Sequence, residues 1–260
     1  MVDIAKVKNE FKKYISNYNY QEPRIALKVN HIERVAQNSK MIAQGLNLTK
    51  EEINLAEAIG IFHDLGRFEQ VRNYNTFDDR VSGINHAQYS VKILFEDNLI
   101  RNFIENSYYD NIIKTAILNH NKIKIDENTS GKELLFSKII RDADKLDILS
   151  GVLVSDEFIP AFWYDDFSVK EINELALKDF FDKTLIKYEN VKNNADQSLV
   201  FFAYVYDMYF DITLKILNDR NTLEKYSNKI KEIFTSHKVH EQIDMITKFL
   251  KEYFLEKNII

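Results

Sequence analysis

The chain has 260 residues, no cysteine and a formal net charge of -5, and 45% of its residues are hydrophobic. This length is enough to bury most of the apolar surface without covalent cross-links, and the lack of cysteine excludes a disulfide scaffold, thiolate metal sites and cysteine nucleophiles. The net acidic charge gives no electrostatic reason to expect DNA or another polyanion as a partner.

Helices are predicted along the whole chain. Only six glycines and two prolines are present, so few residues break helices or form strand turns, and the sequence predicts an all-α fold. Helical periodicity predicts the first two helices at about residues 4–18 and 23–46, and Pro23 fits the first turn of the second.

A third predicted helix begins after the capping box Thr49-Lys50-Glu51-Glu52 and has an apolar interior. We expect it to end at Gly66, directly after the pair His63-Asp64. Residues 67–85 lose the periodicity and are rich in polar side chains, which predicts a loop beside that pair.

The remaining helices form two sets. They are predicted at about residues 86–95, 111–120, 132–153, 169–188, 198–217 and 221–260. We predict a metal-binding catalytic core over residues 1–155 and a helical extension over residues 156–260 that packs on it. The aromatic residues of the extension, including the link Phe162-Trp163-Tyr164, are expected to help select substrate or to form core or a homodimer interface.

The compartment is predicted from two sequence patterns. The first residues lack the basic and apolar regions of a signal peptide, and no stretch approaches the roughly 18 apolar residues that a membrane span requires. We therefore expect a cytoplasmic protein without a membrane span.

Several histidines and aspartates fall at predicted helix ends or on apolar helix stripes, where an unpaired polar group is costly. They are His31, His63, Asp64, His86, His120 and Asp144. Taken singly, His31 and His120 are also explained as hydrogen-bonded core residues, His63 as a partly buried histidine at a helix C-terminus, and Asp144 by a salt bridge to Lys145 or Arg141. One metal site would satisfy all of them together. Imidazole and carboxylate ligands suit Mn, Fe, Co, Ni, Zn or Mg rather than a soft metal.

The order of these residues carries a family resemblance. His31, then His63-Asp64, then Asp144 within Ala143-Asp144-Lys145-Leu146-Asp147 resembles the HD superfamily of metal-dependent phosphohydrolases. The resemblance covers about residues 23–153. It implies a helical bundle, the HD domain, in which His31, His63, Asp64 and Asp144 bind one divalent metal ion.

Two further histidines extend the resemblance. His86 and His120 occupy the chain positions where branches with two metals carry additional histidines, so the resemblance implies one or two ions, with Asp64 bridging them when two are bound. A member with one metal could instead use these histidines to contact a substrate phosphate or to relay protons.

Arg67 is the main candidate for binding phosphate. The step Gly66-Arg67 resembles the Gly-Lys that follows HD in cyclic-dinucleotide phosphodiesterases, although their longer Gly-Tyr-Pro signature is missing. An acid that some nucleotidase branches carry here is replaced by the arginine. We expect Arg67, with Arg72 and Arg80, to bind substrate. The alternative for Arg67 is an ion pair with Glu69 or Asp64.

The resemblance implies metal-dependent hydrolysis of a phosphoester or phosphoanhydride by a metal-activated water, in a nucleotide or another small phosphorylated metabolite. Asp64, Arg67 and Lys145 are the expected catalytic residues, although Lys145 could instead hold Asp142 or Asp147 in place. Two alternatives stay open: an HD-fold di-iron oxygenase, and a nucleotide-sensing module without turnover.

Overall fold

The computed structural model describes residues 1–154 and 166–260, and within these ranges it contains helices and no strand, which confirms the all-α prediction. In chain order the α-helices are α1 (Ile4–Ile15), α2 (Pro23–Gly45), α3 (Lys50–Phe62), α4 (Leu65–Tyr74), α5 (Asp79–Ser82), α6 (His86–Val91), α7 (Ile100–Phe103), α8 (Asp110–His120), α9 (Gly131–Asp147), α10 (Glu174–Phe181), α11 (Asn194–Ala203), α12 (Asp211–Asp219), α13 (Thr222–Ile233) and α14 (His237–Glu256). Short π-helical segments follow α6 and α9, at Lys92–Glu96 and Ile148–Val152. Within the described ranges, no helix combines the length and the apolar character needed to cross a bilayer.

The chain divides into two compact units, Met1–Asp144 and Lys145–Ile260, and the division falls within α9. All six predicted metal ligands lie in the first unit. The predicted core boundary at residues 155 and 156 and the aromatic link Phe162-Trp163-Tyr164 lie outside the described residues, so the predicted domain limits stay a prediction.

Helices α2 and α3 form the most extensive helix pair of the first unit. Pro23 stands at the beginning of α2, and the predicted capping box of Thr49 and Glu52 opens α3. The two helices approach closely at Gly60, where a Cβ atom would lie only 2.6 Å from the Cα of Ala36. This close packing sets the distance between the histidines that the two helices carry.

The predicted loop over residues 67–85 is wrong, because most of it belongs to α4 and α5. Gly66 does not end a helix but is the second residue of α4, which begins after a break at Asp64. Leu65, Phe68 and Val71 are the buried apolar residues of this helix, and Phe68 packs against Tyr18 with ring centroids 5.1 Å apart. The apolar positions are too few, among many polar residues, to give a helical pattern in the sequence.

The prediction of three long helices for the carboxyl-terminal half is wrong as well, because the structure has more and shorter helices there. Within residues 166–260 the structure has five α-helices, α10 to α14. Extended backbone at Phe210 separates α11 from α12, and Phe234 is extended before Ser236 caps α14. Apolar spacing continues across these short breaks, which is why periodicity alone joined the segments.

Gly66 is required where α4 meets α6. A Cβ atom at this position would lie 2.5 Å from the carbonyl oxygen of His86 and 2.8 Å from the backbone nitrogen of Ser90. The Gly66 N–H also donates a hydrogen bond to Ser90 Oγ at 2.8 Å, and that hydroxyl lies 2.9 Å from the carbonyl oxygen of His63. The contact therefore joins His63, the residue after α3, to Ser90 of α6.

We predict that Gly66→Ala destabilises the protein by about 1–3 kcal/mol, because the new methyl group meets backbone atoms that cannot move without shifting α6. Helix propensity alone would give the opposite sign, since alanine favours a helix interior by about 1 kcal/mol over glycine. Urea unfolding of the variant and of the exposed α6 control Gln88→Ala measures the difference. Unchanged or increased stability of Gly66→Ala would contradict the packing argument.

Candidate metal centre

Four histidine side chains surround the carboxylate of Asp64. Its Oδ2 atom lies 3.7 Å from Nε2 of His31 and 3.7 Å from Nε2 of His63. Its Oδ1 atom lies 3.5 Å from Nε2 of His86 and 3.8 Å from Nε2 of His120. One carboxylate therefore directs each of its oxygens at a different pair of imidazoles.

These residues form two groups that share Asp64. The first group is His31, His63 and Asp64, and the second group is Asp64, His86 and His120. Within each group one ligand atom per residue lies within 4.8 Å of the others, and all five residues are buried. Each group has the size and the donor types to hold one divalent metal ion through nitrogen and oxygen.

Helix termini place most of these side chains. His63 follows the last residue of α3, Asp64 lies in the break before α4, His86 is the first residue of α6 and His120 is the last residue of α8. His31 instead lies in the middle of α2. Several helices thus converge on one point, as in metal sites within helical bundles.

Three imidazole rings are held in orientation by contacts of their Nδ1 atoms, on the side of each ring that faces away from Asp64. Nδ1 of His63 lies 2.8 Å from the carbonyl oxygen of Gly60, and Nδ1 of His120 lies 2.6 Å from that of Ile117. A carbonyl oxygen only accepts hydrogen bonds, so in both rings Nδ1 carries the proton and the Nε2 lone pair faces Asp64. Nδ1 of His86 is held in the same way by a carboxylate, Asp79 Oδ2, at 2.7 Å.

Three of the histidines, His63, His86 and His120, are neutral near pH 7. Burial lowers the pKa of His86 and of His120 to about 4, and it also lowers the pKa of His63. Hydrogen bonding of His86 to Asp79 opposes this shift without cancelling it. Neutral imidazole is the form that ligates a metal ion, so these three histidines are in the required state without prior loss of a proton.

The Asp64 carboxylate is ionised although it is buried. Burial alone would raise its pKa, but Lys28, whose Nζ lies 2.8 Å from Oδ2, and then the neighbouring histidines hold the pKa well below its usual range. The other oxygen, Oδ1, is buried and has no hydrogen-bond partner. A buried anionic oxygen without a partner is costly, and a cation between it and the imidazoles of the second group would remove that cost. The residues therefore fit a metal ion.

Asp144 approaches the first group through His31, with Oδ1 at 3.2 Å from Nε2. Burial would raise its pKa, but the hydrogen bond and charge of His31 hold the pKa below its usual value. The two basic neighbours considered as its partners are engaged elsewhere. Lys145 pairs with Asp207 at 2.9 Å, and the guanidinium of Arg141 donates to backbone carbonyls, including that of Asn119 at 3.0 Å. The ligand role of Asp144 and the catalytic role of Lys145 stay predictions.

Arg67 lies beside the second group and is anchored on one side. Its Nη1 donates to Asp79 Oδ1 at 2.8 Å, to Gln70 Oε1 at 2.7 Å and to the carbonyl oxygen of Phe77. The opposite edge of the guanidinium faces the centre. Nη2 lies 3.4 Å from His86 Nε2, and Nε is buried without a hydrogen-bond partner. This edge remains available for an anion.

The other two arginines expected to bind substrate have acidic partners outside the two groups. Arg72 pairs with Glu69 at 2.6 Å, and Arg80 pairs with Asp78 at 2.7 Å. Their predicted role in substrate binding stays a prediction.

Sequence reasoning missed two residues of this centre, Lys28 and Asp79. Lys28 stands three positions before His31, so both lie on one face of α2, and this spacing was a usable signal. Asp79 gave no comparable signal, because it was one of several acids in a segment predicted as a loop.

Comparison with known proteins agrees with the motif analysis. The family model described as HD domain matches residues 29–149, a range that includes all six predicted metal ligands. That domain is characteristic of a superfamily of metal-dependent hydrolases. Searches of curated proteins and of solved structures found no match to the chain.

We predict that Asp79→Asn weakens metal binding by the second group about tenfold or more, since a carboxylate that holds a ligating histidine increases its basicity and fixes its orientation. Metal titration followed by calorimetry measures the effect. The neighbouring Asp78→Asn is the matched control, because Asp78 caps α5 and pairs with Arg80. Equal metal affinity of the Asp79 variant and the wild type would contradict this role.

The buried histidines predict a pH dependence of stability in the metal-free protein. Their pKa of about 4 in the folded state lies below the unfolded value of about 6.5, so the unfolded chain binds more protons between these values. Stability should therefore fall as the pH decreases from 6.5 to 4, by roughly 3 kcal/mol for each of His86 and His120.

Urea unfolding at several pH values in the presence of a chelator tests this dependence. His120→Gln should reduce the slope, whereas His237→Gln should not, because that side chain is 90% exposed. A wild-type stability that stays constant from pH 6.5 to 4.5 would contradict the prediction.

Proposed function

We propose that the protein, whose residues 29–149 match the HD domain model, is a metal-dependent phosphohydrolase that cleaves a phosphoester or phosphoanhydride in a nucleotide or another small phosphorylated metabolite. The observation that carries the proposal is a pair of buried polar atoms at the centre, neither of which has a hydrogen-bond partner. Asp64 Oδ1 and Arg67 Nε form only a long ion pair with each other, at 3.7 Å. A metal ion with a phosphate oxygen bound to it would satisfy both.

The residues of the first and second groups, which share Asp64, would hold one or two divalent ions. Metal ions in such a site lower the pKa of bound water and neutralise charge on phosphoryl oxygens. His63, His86 and His120 would bind through Nε2, because their Nδ1 atoms are held by other groups. Asp144 lies next to His31, where it can orient that imidazole or serve as a further ligand.

Arg67 positions the phosphoryl group. Asp79, Gln70 and the Phe77 carbonyl hold Nη1, so the Nε–Nη2 edge keeps its direction towards Asp64 and His86. A planar guanidinium edge matches two oxygens of a phosphate. Because the anchoring contacts use only Nη1, binding of phosphate does not require breaking them.

The hydrolysis balances without a redox partner. The oxygen of water forms a bond to phosphorus and releases a proton to solvent, the bond between phosphorus and the leaving oxygen breaks, and the leaving group takes up a proton. His86 and His120 are poor donors of that proton near pH 7, since each has a pKa of about 4 and directs an unprotonated Nε2 at Asp64. We therefore assign both to metal binding and assign the proton to solvent.

We predict that Asp64→Asn abolishes phosphate release and weakens metal binding, while the helical content stays close to that of the wild type. The protein reconstituted with Mn, Fe, Co, Ni, Zn or Mg is offered a panel of nucleotides, cyclic dinucleotides and sugar phosphates. Released phosphate and bound metal are measured in parallel. Asp97→Asn, which changes an exposed acid, is the control.

Metal-dependent release that disappears in Asp64→Asn supports the hydrolase. Retained turnover in that variant, or no phosphate release from a metal-loaded wild type that consumes oxygen, would overturn it.

A further inference from the structure

A lysine lies among the ligands of the first group. Lys28 belongs to α2, its side chain is only 14% exposed, and its Nζ lies 2.8 Å from Asp64 Oδ2. The same ammonium lies 5.2 Å from the centre of the Phe77 ring. Nothing in the motif set requires a second cation at this oxygen, because the first group already offers Asp64 to a metal ion.

Arg67 approaches the same carboxylate from its other oxygen. Its Nε lies 3.7 Å from Asp64 Oδ1, and its guanidinium carbon lies 6.0 Å from the centre of the Phe77 ring. Lys28 and Arg67 thus approach opposite oxygens of Asp64, and both lie near one aromatic ring. We call Lys28 and Arg67 the cation pair.

A metal ion bound to Asp64 would deprive the Lys28 ammonium of its counter-ion. The ammonium now has the Asp64 carboxylate as its counter-ion, but a divalent ion bound to that carboxylate compensates its charge. A largely buried ammonium without an anion is unfavourable. With metal bound, two cationic groups therefore require an anion: the Lys28 ammonium and the Nε–Nη2 edge of Arg67. Both needs can be met by one phosphoryl group in front of Asp64.

We propose that Lys28 and Arg67 each bind one terminal oxygen of the same phosphoryl group and that this cation pair selects phosphomonoesters over phosphodiesters. The inference rests on the proposed hydrolase function and narrows its substrate class. A phosphomonoester has three terminal oxygens and a charge close to -2 near neutral pH. When the cation pair takes two of these oxygens, the third is still available to metal.

A phosphodiester fits this arrangement less well. It has two terminal oxygens and one negative charge, so the cation pair would use both oxygens and leave only ester oxygens for the metal side. The cation pair therefore distinguishes a phosphomonoester from a phosphodiester by its third terminal oxygen and its second negative charge.

Binding of inorganic phosphate and of dimethyl phosphate to the metal-loaded protein tests the cation pair without any need for turnover. Calorimetry is performed on the wild type, on Lys28→Met, which keeps the length without the charge, and on Lys28→Arg. Lys12→Met is the matched control, because Lys12 is an exposed lysine of α1.

We expect the wild type to bind phosphate at least about tenfold more tightly than dimethyl phosphate. Loss of one charge-assisted hydrogen bond in Lys28→Met should weaken phosphate binding by about tenfold to a hundredfold. The loss for dimethyl phosphate should be several-fold smaller, Lys28→Arg should restore part of the phosphate affinity, and Lys12→Met should behave as the wild type.

If Lys28 is only a counter-ion of Asp64, Lys28→Met changes metal affinity but leaves the ratio of phosphate to dimethyl phosphate affinity as in the wild type. That result overturns the inference.

Turnover of p-nitrophenyl phosphate and of bis(p-nitrophenyl) phosphate separates the two proposals. In one outcome, phosphate binds selectively and its binding depends on Lys28, but neither ester releases nitrophenol and the metabolite panel releases no phosphate. This outcome supports the cation pair and counts against the hydrolase. Turnover of both esters at equal kcat/KM, with an affinity ratio that Lys28→Met does not change, supports the hydrolase and overturns the cation pair.

Discussion

The burial of the Asp64 carboxylate is the constraint on which the first unit depends. An ionised carboxylate removed from water costs several kcal/mol unless cations or hydrogen bonds compensate it. Its two oxygens face different neighbours. Lys28 compensates Oδ2, whereas Oδ1 is buried without a hydrogen-bond partner between two imidazoles and the edge of Arg67. Only one of the two oxygens is compensated by a hydrogen bond. This difference indicates that Oδ1 is kept buried because a bound ligand supplies its missing partner.

Helix ends position most of the candidate metal ligands. The last carbonyl groups of a helix lack partners within the helix. His63 and His120 each stand at such an end and donate their Nδ1 proton to the carbonyl three residues earlier, at Gly60 and Ile117. One hydrogen bond thus satisfies a terminal carbonyl and turns Nε2 towards the centre. The same arrangement explains why these ligands are found where α3 and α8 end rather than in the middle of helices.

The sequence was sufficient to predict the helical class, the helices α2, α3, α8 and α9, and the residues that converge on Asp64, because buried polar residues at helical spacing leave a clear pattern. It was not sufficient for α4, where the buried apolar residues Leu65, Phe68 and Val71 lie among polar ones. It also did not reveal Asp79, since a carboxylate that acts on a histidine seven positions away has no periodic pattern. The roles of such residues depend on tertiary contacts between α4, α5 and α6, which no local rule encodes.

Asp79 links the candidate metal centre to the candidate phosphate contact. Its Oδ2 accepts from His86 and its Oδ1 accepts from Arg67 and from Gln70, so one rigid carboxylate sets the position of an imidazole and of a guanidinium. A shift of His86 towards a bound cation would pull on the same carboxylate that holds Arg67. The second group and the anion-binding edge of Arg67 therefore share Asp79 as a hydrogen-bond acceptor. This shared contact gives a physical reason for the short helix α5 between α4 and α6, since α5 begins with Asp79 and holds its carboxylate between His86 and Arg67.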